Sequence, residues 1–194
     1  MPYVIQNLDQ SVLNWINAIP KPPTLTSIVQ FITATGETGL IWILICLAML
    51  FFPRTRKAGI IGLISLALGI AFSGILKVII ARPRPHFNVA VPETSYSFPS
   101  RHAATSFAAA VVFLRYLPKK FSIPLLCYAV IMALTRLYLL HHYPSDIIAG
   151  ILLGALCAYA AEWIYGVINP KPANQKSNLK SPPTDVKIDH TNKI

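Results

Sequence analysis

Long apolar stretches separated by short polar segments fill most of the chain between residues 39 and 168. A membrane-spanning helix needs roughly 20 mostly apolar residues. Five stretches approach or reach that length: Gly39–Phe52, Ala58–Ile80, Ala103–Leu117, Phe121–Leu140 and Ile147–Ile168. The polar-punctuated Thr24–Thr35 is too short to span alone at about 1.5 Å per residue. The pattern predicts an all-α polytopic membrane bundle of five to six transmembrane helices.

The two ends of the chain differ from this pattern. Near the N-terminus, apolar residues recur at three- and four-residue intervals, with Asp9 and Asn17 between them, which fits an amphipathic helix at the membrane interface. After Asn169 the sequence is rich in Pro, Lys, Asn and Ser, which predicts a disordered tail. We therefore divide the chain into an interfacial segment (1–23), a membrane-embedded domain (24–168) and a tail (169–194).

The composition agrees with a membrane protein. Hydrophobic residues make up 54% of the 194 residues and charged residues only 12%, and the mean hydropathy is +0.54. A soluble domain carries about 25% charged residues. The three cysteines fall inside apolar stretches, so we expect small buried thiols without disulfides or metal-ligand spacing.

Basic residues cluster at alternate ends of the predicted spans. The three clusters are Arg54, Arg56 and Lys57; Arg115, Lys119 and Lys120; and Lys171, Lys176 and Lys180. If each stretch crosses once, all three share one side, which the positive-inside rule makes cytoplasmic. The chain is then predicted to lie in the cytoplasmic membrane with a cytoplasmic tail.

The predicted extracytoplasmic side nevertheless carries its own cations and histidines. They are Lys77, Arg82, Arg84, Arg101, Arg136, His86, His102, His141 and His142, with Glu93 and Asp146 as nearby acids. Snorkelling at a helix end explains one or two such cations. Five of them from three separate stretches indicate an anion site, because charges at the membrane edge are usually functional.

The first stretch, "KVIIARPRP", ends an apolar helix in which Lys77 is the only charge. Lys77 as a point charge and one arginine as a planar fork would suit the same oxyanion. Arg82 and Arg84 compete for the second role. The alternative is a snorkelling lysine followed by a basic loop.

The second stretch is "SFPSRHAATSFAAA", in which Ser100 is a natural N-cap for a helix beginning near Arg101. A helix start also offers free backbone N–H groups and a positive dipole end, which together favour an anion. Ser100, the first backbone amides and the His102 ring would converge there. A simple cap beside an exposed interfacial histidine is the alternative.

The third stretch, "TRLYLLHHYPSD", places Arg136 nearly two turns before His142. Asp146 falls in the first turn of the next helix, where it complements the helix dipole. It could also accept a hydrogen bond from one imidazole nitrogen and leave the other as a nucleophile. His141 rivals His142 here, and only one can serve because adjacent helical residues lie on different faces.

Together these residues resemble the type-2 phosphatidic acid phosphatase superfamily of membrane lipid phosphatases. Its signature is Lys, six residues and Arg-Pro; then Pro-Ser-Gly-His; then Ser-Arg, five residues, His, three residues and Asp. The matching positions are Lys77 with Arg84-Pro85, Pro99-Ser100-Arg101-His102, and Thr135-Arg136 with His142 and Asp146. The family spacing selects Arg84 over Arg82 and His142 over His141.

The resemblance implies metal-independent, cofactor-free hydrolysis of a phospholipid or polyprenyl (di)phosphate within the bilayer, with no nucleic-acid partner. It implies that His142 attacks phosphorus, that Asp146 orients it, and that His102 protonates the leaving oxygen and then activates water. Lys77, Arg84, Ser100 and Arg136 would hold the phosphoryl oxygens. Arg101 replaces the family glycine, and its side chain could reach a second phosphate or a head group.

Other functions use the same residues. A phosphotransferase would pass the phosphoryl group to another lipid, and a non-catalytic protein would bind or transport an anionic lipid. The second requires cations but no paired His142 and Asp146. A vanadate-dependent oxidase shares the anion site, and a metal at His142 and Asp146 would be repelled by the surrounding cations.

Overall fold

The computed structural model describes residues 3–87 and 95–170, and every regular element in these ranges is helical. The α-helices are α1 (Tyr3–Ala18), α2 (Pro23–Thr35), α3 (Leu40–Leu50), α4 (Arg56–Ile80), α5 (Arg101–Tyr116), α6 (Lys119–Tyr138) and α7 (Pro144–Ile168). A 3-10 turn, Glu37–Gly39, joins α2 to α3. The prediction of an all-α chain is confirmed.

The prediction of five to six spans is not confirmed. Among the described residues, α4, α6 and α7 are long and apolar enough to cross a membrane. A fourth span results if α2 and the segment Glu37–Leu50 are counted together, although they are bent by 41°. The bend lies where Thr38 and Gly39 adopt positive φ angles of 54° and 79°, which interrupts the helix.

Helix α5 is enclosed by the other helices and is shorter than a typical span. It has 16 residues and packs against α4, α6 and α7. Ala104, Ala108 and Phe113 are fully buried. Small side chains let neighbouring backbones approach closely. The apolar side chains at 103–117 therefore face mainly protein rather than lipid.

Helix α7 crosses α5 at two glycines. A Cβ atom on Gly150 would lie 2.6 Å from the carbonyl oxygen of Ser100, and one on Gly154 would lie 2.4 Å from that of Ala104. Glycines four residues apart allow this backbone approach. The crossing holds the start of α7 against the start of α5, where the motif residues of both helices lie.

The helix directions gather the motif residues at one end of the bundle, since α4 and α6 end where α5 and α7 begin. At the opposite end, the Lys57 Nζ lies 5.0 Å from the ring centroid of Tyr116 and 5.6 Å from that of Tyr165. The basic residues before α4 and after α5 thus share one end. The third basic cluster and the predicted tail beyond Pro170 lie outside the described residues, as does Glu93.

Helix α1 is present where the periodicity predicts it, but its buried positions differ. Asp9 and Leu13 are buried, whereas Leu8 and Trp15 are 63% and 68% exposed. Asp9, which lies between the apolar positions in the sequence, therefore faces the bundle.

The cysteine prediction is wrong at one position. All three thiols are free, and Cys46 and Cys157 are buried. Cys127 is exposed, as are Ile131 and Leu134 further along α6. An apolar run does not distinguish a thiol facing outward from one packed between helices.

Candidate active site

His142 occupies the short connection between α6 and α7 and is 1% exposed. Its Nε2 atom lies 3.2 Å from Nη1 of Arg84, and its Nδ1 atom lies 3.6 Å from Oδ2 of Asp146. A guanidinium only donates hydrogen bonds, so Nε2 must accept and the proton resides on Nδ1, facing the carboxylate. This arrangement is that of a neutral imidazole with its lone pair on Nε2.

The electrostatic surroundings favour the same neutral form. Burial lowers the pKa of His142 well below its ordinary value, and the cations Arg136, Arg84 and Lys77 add to that effect. Desolvation and neighbouring positive charges both disfavour imidazolium. Burial and the nearby cations therefore both favour the neutral imidazole over imidazolium at neutral pH.

Asp146 is fully buried in the first turn of α7. Its Oδ2 accepts a hydrogen bond of 2.9 Å from the backbone N–H of Tyr143, and its Oδ1 accepts one of 2.6 Å from Nη1 of Arg82. Asp146 thus lies in the first turn of α7, as the helix-dipole interpretation expects, and its Oδ2 also faces Nδ1 of His142 at 3.6 Å. Its backbone carbonyl also accepts from the Ser100 N–H at 3.0 Å.

Arg84 is held in place by backbone and side-chain acceptors. Its Nε and Nη2 donate to the carbonyl and hydroxyl oxygens of Ser95 at 2.6 and 2.9 Å, and its Nη1 donates to the carbonyl of His141 at 2.6 Å. Burial lowers the pKa of Arg84 to about 10, so the guanidinium stays charged at neutral pH. Lys77 lies in the last turn of α4, is 6% exposed, and donates to the carbonyl oxygen of Tyr96.

The start of α5 contributes three predicted residues. Ser100 is fully buried and caps the helix, with its Oγ 3.5 Å from the backbone nitrogen of Ala103. His102 lies next to α2, where its ring hydrogen bonds to the backbone of Thr33. Arg101 is half-buried, and its Nη2 lies 3.8 Å from the position of a Cβ on Gly74, one turn before Lys77.

Arg136 is buried in the last turn of α6. Its Nη1 donates to the Thr33 hydroxyl at 2.9 Å, and the Thr135 hydroxyl lies 3.2 Å from the same oxygen. Thr33 therefore contacts both Arg136 and His102. Sequence reasoning missed this residue, and the only signal for it was the set of polar interruptions in α2.

All eight residues predicted for the site lie at this end of the bundle: Lys77, Arg84, Ser100, Arg101, His102, Arg136, His142 and Asp146. Arg84, His142 and Asp146 form a continuous chain of contacts. Arg82 lies on the other side of that chain, bound to Asp146 rather than to His142. Within residues 3–87 and 95–170, no group of three or more His, Cys, Asp or Glu side chains is placed to hold a metal ion.

Comparison with known proteins agrees with this arrangement. The PAP2 superfamily profile matches residues 58–169, which is more than half of the chain and includes all eight residues. The chain belongs to the PAP2 superfamily. Its helices α1, α2 and α3 lie before the matched PAP2 region, so Asp9 and Thr33 are outside it.

Two relatives align with most of the chain. The chain is 35% identical over 143 residues to undecaprenyl-diphosphatase of Sulfolobus acidocaldarius, covering 70% of this chain and 68% of that protein. It is 30% identical over 164 residues to phosphatidylglycerophosphatase B of Bacillus subtilis, covering 78% and 80%. The apolar helices and these relatives together identify the chain as a membrane protein.

A solved PAP2 structure has a similar fold. It is the first transmembrane PAP2 type phosphatidylglycerolphosphate phosphatase from Bacillus subtilis. The TM-score is 0.72 at 27% sequence identity, and the superposition covers 88% of this chain and 90% of that one. The family profile matches only residues 58–169, whereas the structural similarity covers 88% of the chain and so extends beyond that region.

Proposed function

We propose that this PAP2 protein is an integral membrane phosphatase that hydrolyses a lipid phosphate or polyprenyl diphosphate through a phosphohistidine intermediate. The contact chain from Arg84 through His142 to Asp146 carries the proposal. A protein that only binds anionic lipids needs the cations. Such a lipid-binding protein does not need a neutral imidazole whose proton faces a buried carboxylate.

In the first step, Nε2 of His142 attacks phosphorus while the bond from phosphorus to the leaving oxygen breaks. His102, protonated at the start of this step, gives its proton to that oxygen and becomes neutral, and the group departs as a lipid alcohol or lipid phosphate. Asp146 stabilises the positive charge that develops on the imidazole. Arg84, which lies against Nε2, would contact the transferred phosphoryl group, because fixed positive charge stabilises its equatorial oxygens.

In the second step, His102 takes a proton from water, and the water oxygen attacks the phosphohistidine. The bond between phosphorus and Nε2 breaks, inorganic phosphate leaves, and His142 returns to its neutral form. Lys77, Arg136 and Ser100 are the further ligands that we assign to the phosphoryl oxygens. A lipid hydroxyl in place of water would make the same protein a phosphotransferase.

The position of the site suits a lipid substrate. It lies where the apolar helices α4 and α6 end, so a prenyl or acyl chain can remain in the bilayer while its phosphate reaches His142. The relatives bear the names undecaprenyl-diphosphatase and phosphatidylglycerophosphatase B, which supports both lipid classes. From the positive-inside rule we place the site on the extracytoplasmic face of the cytoplasmic membrane.

The test is release of inorganic phosphate by detergent-purified protein in the presence of EDTA. Undecaprenyl diphosphate, phosphatidylglycerol phosphate, phosphatidic acid and a lipid A phosphate would be compared. His142→Ala should reduce turnover by about three orders of magnitude or more, as expected for loss of a nucleophile. The control is His86→Ala, because His86 is an exposed histidine in the loop after α4.

Phosphate release that requires His142 and persists in EDTA would support the proposal and rank the substrates. Substantial turnover by His142→Ala would overturn the phosphohistidine step. Transfer of the phosphoryl group to an added lipid alcohol, without phosphate release, would identify a phosphotransferase instead.

A further inference from the structure

Asp9 is a buried acid with no role in the chemistry described above. It lies on α1, before the matched PAP2 region, and is 3% exposed. A buried carboxylate is costly unless it is paired and hydrogen-bonded. Asp9 is paired: its Oδ2 lies 2.7 Å from Nη2 of Arg82 and 2.5 Å from the Ser145 hydroxyl, and its Oδ1 accepts from the Ser145 N–H at 2.9 Å.

Arg82 joins Asp9 to the active site. Its Nη2 binds Asp9, while its Nη1 binds Oδ1 of Asp146 at 2.6 Å and the hydroxyl of Ser145 at 2.8 Å. The guanidinium also lies 3.9 Å from the ring centroid of Tyr143. A planar guanidinium presents its donors in a fixed fork, so the two carboxylates together determine where Arg82 lies.

The same contacts fix the carboxylate that faces the nucleophile. Asp146 has one oxygen on Arg82 and the other on the Tyr143 N–H, and the latter oxygen is 3.6 Å from Nδ1 of His142. Asp9 also accepts from the Ser145 N–H in the first turn of α7, where negative charge complements the helix dipole. Asp9 therefore holds both Arg82 and the turn that carries Asp146.

We propose that Asp9 is a positioning residue of the active site, acting through Arg82 and Ser145 to orient Asp146 toward His142. Helix α1 then completes the catalytic site in addition to any role at the membrane interface. Two carboxylates also keep the Arg82 charge away from the anion site, which leaves Arg84 to contact the phosphoryl group. This inference rests on the proposed phosphatase function.

The test is the variant Asp9→Asn, which keeps the shape of the side chain and removes its charge. We expect kcat for phosphate release to fall about 10- to 100-fold, the usual effect of losing a partner of a catalytic group. The KM and the inhibition constant of inorganic phosphate should stay within about twofold of the unsubstituted protein, because Asp9 is not placed against the phosphoryl group. Gln10→Ala, the exposed neighbour on α1, is the control.

Two further variants separate positioning from folding. Asp9→Glu restores a carboxylate and should recover part of kcat. In a double-mutant cycle, Asp9→Asn should add little to the loss caused by Arg82→Lys, because both changes act through Asp146. Fully additive losses would overturn the proposal.

Thermal unfolding of each variant supplies the remaining control. An unchanged kcat in folded Asp9→Asn would overturn the inference. So would a loss of activity that disappears at lower temperature, which is the behaviour of a purely structural residue. His142→Ala, assayed beside it, separates the two proposals: if it stays active, the proposed function fails, and if only Asp9→Asn stays active, the positioning role alone fails.

Discussion

At the residue scale, the site uses two nearby arginines for different tasks. Arg84 lies against Nε2 of His142, and Arg82 binds the carboxylate on the Nδ1 side of the same ring. The His–Asp pair therefore has a cation at each end. In the proposed mechanism Arg84 contacts the phosphate, whereas Arg82 is paired with two acids, Asp9 and Asp146.

Arg101 offers a prediction about substrate choice at this scale. Its guanidinium lies beside Gly74, one turn before Lys77, and its buried Nε has no hydrogen-bond partner among residues 3–87 and 95–170. A second phosphate of the substrate could accept a hydrogen bond from this Nε. If it does, Arg101→Gly should lower the ratio of kcat/KM for diphosphate over monophosphate lipids by about 10- to 100-fold, given ~1.5–3 kcal/mol for a hydrogen bond to a charged group.

The measurement is phosphate release from paired lipids that share one chain and differ in the number of phosphates. Arg101→Lys should retain most of the preference because it keeps the charge. An unchanged ratio in Arg101→Gly would show that this side chain does not contact the second phosphate.

The eight predicted residues could be located from the sequence because family motifs keep them at fixed spacings. Asp9 and Thr33 could not, because their partners are distant in the chain: Asp9 contacts Ser145 across 136 positions. Helical periodicity placed Asp9 among polar positions, and a polar position is normally solvated. Only the fold shows that Arg82 and Ser145, rather than water, bind the Asp9 carboxylate.

At the element scale, the sequence predicts helices better than it predicts what surrounds them. The boundaries of α4 and α7 nearly coincide with the apolar runs at 58–80 and 147–168. The run at 103–117 also forms a helix, α5, but that helix faces protein. Apolar side chains suit both lipid and a protein interior, so hydropathy alone cannot separate the two environments.

The crossing of α5 and α7 can be tested with two glycines of α7. Gly154→Ala places a Cβ 2.4 Å from a backbone oxygen, and overpacking of this kind costs about 1–3 kcal/mol. A Cβ on Gly166 meets no atom of the described part of the chain within 4 Å, so Gly166→Ala should be neutral or slightly stabilising, by up to about 1 kcal/mol. Thermal unfolding in detergent should therefore show a lower Tm for Gly154→Ala only.

Phosphate release by the same two variants shows whether the crossing matters for activity. Because this crossing aligns the starts of both helices, Gly154→Ala should also lose turnover while Gly166→Ala keeps it. Equal Tm values for the two variants would contradict the close packing.

At the scale of the whole molecule, the two ends of the bundle differ in how they hold charge. At the active-site end, several cations surround His142 and the acid Asp146 is buried. At the other end, Lys57 lies over tyrosine rings, and Arg115 forms a half-exposed ion pair with Glu162. The first arrangement suits an anionic ligand, and the second is typical of basic residues at a cytoplasmic membrane surface.

The predicted orientation can be measured by labelling single cysteines. In a protein with Cys46, Cys127 and Cys157 replaced by Ala, we would compare His86→Cys near the active site with Lys119→Cys at the opposite end. A membrane-impermeant maleimide should label the first in right-side-out vesicles and the second only after detergent is added. The reverse pattern would place the active site on the cytoplasmic face.

The contact between α1 and α7 has a consequence for the order of synthesis. Synthesis runs from the N-terminal side, so Asp9 is made 136 positions before Ser145. The nascent chain therefore carries Lys77, Arg84 and His102 well before the last helix brings His142 and Asp146. Under the proposed mechanism, hydrolysis therefore waits for His142 and Asp146, and full activity follows when α1 has packed against α7, so an unfinished chain in the membrane should not act on the lipids around it.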